Sequence, residues 1–119
     1  MDKIAAYITS AFMALVPPGA DGVVPNPSGC PARLFCGCGV SVRVFGHPVP
    51  ELFPARAWLR YPRAQAGHGM VAVWPGHVAY IESADGDGQA TLYDPNSGGH
   101  RTRVHQRSLA GATIVNPHG

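Results

Sequence analysis

The chain has 119 residues, the length of one ordinary domain, with 45% apolar and 13% charged residues. That apolar share excludes wholesale disorder, and a net charge of +2 is too weak to argue for a nucleic-acid partner. Glycine (15) and proline (12) are abundant, which points to many turns and short strands rather than a helix bundle.

Ile4 to Val16 is a mostly apolar run, too short to span a membrane. Ile4, Ile8, Phe12 and Leu15 fall on one helical face, so a helix is preferred over a signal peptide with a weakly basic start. Pro17 to Pro31 reads as a Pro/Gly-rich linker, giving a division into residues 1–31 and a domain over 32–119. Cys36 to Phe45 has two readings. Val40, Val42 and Val44 alternate with polar residues as a strand would, while the glycine-rich start and the stop at Gly46 suit a helix. Glu51 to Arg60 reads as a short helix begun or interrupted by Pro54 and ended by Pro62.

From Met70 the pattern turns to β. Met70–Trp74 and His77–Ser83 are short apolar strands. Asp85-Gly-Asp-Gly88 is a hairpin turn, because such pairs supply the positive φ that tight turns demand. Gln89–Asp94 returns, Asn96–Gly99 turns, and Arg101–Arg107 and Ala112–Asn116 close the series. Helices followed by an antiparallel meander make an α+β fold.

Three cysteines within nine positions cannot all pair, so at least one thiol is free or bound elsewhere. A thiol becomes a useful nucleophile when a helix N-terminus and a nearby histidine favour its anion, and when a third polar group orients that histidine. Those parts occur here in order. Cys38 opens an apolar stretch, His77 opens the first long strand, and Asp94 and Asn96 end the strand that returns through the Asp-Gly hairpin. Antiparallel pairing brings Asp94 or Asn96 back towards His77. The alternatives are an Asx-turn at Asp94-Pro95-Asn96 and a zinc site of Cys30, Cys36, Cys38 and His47, whose spacing does not match the usual paired cysteines.

Gly76-His-Val-Ala-Tyr-Ile-Glu-Ser83 resembles the histidine strand of the CHAP family, the cysteine- and histidine-dependent amidohydrolases/peptidases. Gly69–Trp74 is similar to the strand before it, with Met70 where aspartate is usual. Thr91–Asn96 resembles the segment that carries an acid and then an asparagine, with Asp94 where glutamate is commoner. Cys38–Arg43 resembles the nucleophile helix, though without the aromatic residues often found there. The resemblance covers roughly residues 33–117. It implies a papain-like fold, N-terminal helices before an antiparallel sheet, and a helix rather than a strand after Cys36. It also implies hydrolysis of peptide or amide bonds in bacterial peptidoglycan, without cofactor or metal, in a cell-envelope, secreted or phage-associated protein. A non-catalytic wall-binding or phage structural module is the alternative function.

Cys38 is the expected nucleophile on register. Cys36 is the rival, and whichever does not act packs beside the other or pairs with Cys30. His47, His68, His100, His105 and His118 read as surface residues, with His68 and His100 as candidates for a cleft rim, and Arg101, Arg103 and Arg107 as a solvated strand face, the alternative being attraction of an anionic polymer such as a carboxylate-bearing cell wall. Trp58 and Trp74 read as core or cleft wall.

Overall fold

A computed structural model describes residues 22–119; the expected helix over Ile4–Val16 lies outside the described residues. The described elements are β1 (Val23–Val24), α1 (Cys36–Phe45), two 3₁₀ segments (Pro50–Leu52 and Ala55–Arg60), β2 (Val71–Trp74), β3 (His77–Gly86), β4 (Gln89–Asp94), β5 (Thr102–Ser108) and β6 (Thr113–Val115). One antiparallel six-stranded sheet has the order β1-β5-β4-β3-β2-β6. The fold is mixed α+β. The expectation that helices come first is corrected, since β1 precedes α1 and pairs with β5 through Val23↔Arg103 and Val24↔Thr102. A two-residue strand has too little periodicity to stand out from the Pro/Gly-rich stretch around it.

Side-chain alternation splits the sheet into two faces. Val71, Val73, Val78, Tyr80 and Val115 face one core with Cys36, Val40, Leu52, Ala55 and Trp58. Ala72, Ala79, Ile81, Ala90 and Leu92 form the other. Segment 36–45 is a helix despite its alternating valines. Cys36, Val40 and Val44 recur every fourth residue and lie against the first core, and Gly46 ends the helix in the left-handed region at φ 84°. Packing on the sheet decides between two local patterns that the sequence alone leaves balanced.

Two glycines set how close that helix comes. A Cβ at Gly37 would stand 2.1 Å from the Phe53 carbonyl oxygen, and one at Gly39 would stand 2.5 Å from Pro95 Cβ. Only glycine admits these approaches, and the second seats the first turn of α1 over the end of β4. The β2–β3 turn is Pro75-Gly76, and the β3–β4 hairpin turns at Asp87 and Gly88, both at positive φ. Register slips between Ile81 and Ser83, leaving Glu82 as the extra residue of a bulge. Its carboxylate accepts two hydrogen bonds from Arg43 of α1, both 2.9 Å, and the guanidinium lies 4.3 Å from the centre of the Tyr80 ring. This part-buried pair fixes α1 against β3.

Candidate active site

Cys38 is not a free thiol. It is bonded to Cys30 and fully buried, and the expectation that it is the nucleophile is corrected. The reason is helical geometry. Positions 36 and 38 are separated by roughly 200° around the axis, so they cannot face the same strand. Cys38 turns to the loop that carries Cys30. Cys36, the free cysteine, turns to β3. The zinc arrangement loses two of its thiolates to the same bond, and among the described residues no cluster of three or more His, Cys, Asp or Glu is placed to hold a metal ion.

Cys36 is the first residue of α1, where the backbone N–H groups have no acceptor within the helix. Burial pushes its thiol up. A hydrogen bond to His77, the charge on that ring, and backbone hydrogen bonds at Val78 and Gly37 outweigh burial, so the thiol lies below its ordinary range.

His77 is the first residue of β3, directly after Pro75-Gly76. Its Nε2 lies 2.5 Å from Asp94 Oδ1. With Nε2 so engaged, Nδ1 is the ring nitrogen left for the Cys36 sulfur. Burial disfavours the imidazolium, but hydrogen bonds to Asp94 and Cys36 and the charges of both raise the His77 pKa to about 9. Asp94, the last residue of β4, is fully buried. Burial raises its carboxyl pKa. Hydrogen bonds to His105 and His77 and the charges of both rings hold it well below the usual carboxylate range. An ionised carboxylate only accepts hydrogen bonds, so both rings donate to it.

The structure therefore brings together Cys36, His77 and Asp94. Asn96, the other candidate for orienting His77, has φ 57° and lines a cleft of about 330 Å³ beside the sulfur, with Leu34, Phe53, Pro54, Ala55 and Gly76. A second cleft of about 470 Å³ also includes Gly76, with Arg56, Leu59, Trp74 and Pro75. The Trp74 ring centre is 6.0 Å from that of His77, and its Nε1 donates to the Ala110 carbonyl.

Two residues read as surface groups belong to this site. His105 Nε2 lies 2.6 Å from Asp94 Oδ2. Arg107 stacks on Trp74 at 4.4 Å and reaches the same oxygen at 3.5 Å. Arg103 is also engaged, its guanidinium donating to Ser97 Oγ. The signal that could have found His105 is strand arithmetic carried one hairpin further: β4 and β5 pair with Leu92 opposite His105, putting that ring on the face that carries Asp94. Comparison of the chain with family models, curated proteins and solved structures finds no match.

Proposed function

We propose that this chain is a papain-like cysteine hydrolase that cleaves peptide or amide bonds, with Cys36 as nucleophile, His77 as acid–base and Asp94 as the group that orients His77. One observation carries the reading. A free thiol at a helix N-terminus, a histidine and a buried carboxylate stand in a single hydrogen-bonded line at the wall of a cleft.

In this mechanism the Cys36 thiolate attacks the scissile carbonyl carbon. Backbone N–H groups at the start of α1 hold the oxyanion. His77, as imidazolium, gives its proton to the leaving amine, and the acyl group stays on sulfur. Water then attacks the thioester, His77 takes the water's proton, and the acid leaves as the Cys36 sulfur is released. Asp94 keeps the ring turned with Nε2 inward throughout.

Peptidoglycan stem peptides are the proposed substrate class, on the resemblance of Gly76–Ser83 and Thr91–Asn96 to the CHAP family. The test is loss of turbidity of purified peptidoglycan with wild type, Cys36→Ser, Cys38→Ser and His77→Ala. Activity that disappears in Cys36→Ser and His77→Ala but survives in Cys38→Ser supports the assignment. Activity that survives Cys36→Ser removes it.

A further inference from the structure

We propose that His105 is a positioning residue of this site: it holds the second oxygen of Asp94 so that the first stays fixed on His77. The inference rests on the hydrolase reading and adds a fourth side chain to it.

Asp94 is fully buried, and a buried carboxylate is tolerated only when its oxygens are paired. Oδ1 is taken by His77. Oδ2 is held by His105 at 2.6 Å, with Arg107 further off at 3.5 Å. A carboxylate with one held oxygen can rotate about its Cβ–Cγ bond. One held through both oxygens cannot, and the His77 ring inherits that rigidity.

The neighbouring cation does not substitute for His105. Arg103 stands opposite Asp94 in the β4–β5 register, yet its guanidinium donates to Ser97. The groups facing Asp94 are thus His77 from β3 and His105 and Arg107 from β5, and Cys36 from α1 faces His77 beyond them. His105 is asked to donate one hydrogen bond; no proton passes through it.

The experiment measures alkylation of Cys36 by iodoacetamide against pH in the whole protein, together with turnover and KM on peptidoglycan. Wild type is compared with His105→Ala, His105→Asn and His105→Gln. The Asn amide is too short to reach Oδ2, whereas the Gln amide reaches it and carries no charge. In the Ala and Asn variants the alkylation midpoint is expected to rise by about one pH unit, so that alkylation slows about tenfold at a fixed pH below it. Turnover falls with KM unchanged, and His105→Gln restores both. Should His105→Ala fail to fold, the Asn and Gln pair carries the comparison.

A midpoint that stays in place in folded Ala or Asn variants overturns the proposal. So does one that moves down, which would mean that His105 only tempers the charge of Asp94. These failures differ from failure of the hydrolase reading, in which wild-type Cys36 itself alkylates as an ordinary thiol.

Discussion

Cys36 and Cys38 leave the same helical turn in opposite directions, one to the ring of His77 and the other into a bond with Cys30. Their substitutions should separate accordingly. Cys36→Ser is expected to abolish turnover with little change in stability. Cys38→Ser should keep a reactive Cys36 and lose about 2–3 kcal/mol, the usual effect of opening a short loop closed by a disulfide. Urea unfolding with and without reductant measures the second effect; the reductant should destabilise wild type and leave Cys38→Ser unchanged.

The two pKa shifts bound a working range. His77 is raised from 6.5 to about 9, so its stabilising contribution is complete below pH 6.5 and disappears as pH climbs through about 9. Cys36 is lowered from 9.0, so its contribution is present above pH 9.0 and fades as pH drops through the lowered value. The thiolate–imidazolium pair exists between those two folded-state limits. A bell-shaped profile of kcat/KM is expected, with the alkaline limb near pH 9. A profile still rising at pH 10 would contradict it.

Gly39→Ala should be harmful although alanine is the better helix former by about 1 kcal/mol. The added methyl meets Pro95, the residue after Asp94. We expect a loss of about 1–3 kcal/mol from overpacking, with lower turnover as the end of β4 shifts away from His77. Thermal unfolding and steady-state kinetics on the same variant test both effects.

Glu82→Ala removes the bidentate acceptor of the part-buried Arg43 guanidinium, which keeps its place over the Tyr80 ring. The expected cost is about 1–3 kcal/mol, the usual loss when a charged group gives up hydrogen bonds in a part-buried site. Replacing both partners by apolar residues (Arg43→Met with Glu82→Leu) should cost less than Glu82→Ala alone. If chemical denaturation shows the double variant to be the less stable of the two, the ion pair itself is the source of the stability.

Much of the sheet was legible because it is built from short alternating strands punctuated by Asp-Gly and Pro-Gly. The β4 range Gln89–Asp94 was expected as it stands. His77 and Asp94 were legible for the same reason, since hairpin arithmetic brings the start of one strand back to the end of the next. Which cysteine is free was not. Choosing between Cys36 and Cys38 requires knowing which side of α1 meets the sheet, and that orientation is set by Gly37 against Phe53 and Gly39 against Pro95. These are contacts between distant segments that no local pattern encodes. His105 was hidden by the same kind of distance: on its own strand it shares a face with Arg103 and Arg107, as a solvated residue would.

The Cys30–Cys38 bond closes a ring of chain that contains both Leu34, on the cleft wall, and Cys36. Lip and proposed nucleophile are thus parts of one mechanical body, anchored at the far side to a helix packed on the sheet. Slack introduced anywhere in the ring reaches substrate grip and sulfur placement together. Reduction should therefore move KM and kcat in concert, whereas trimming the Leu34 side chain within an intact ring should move KM alone.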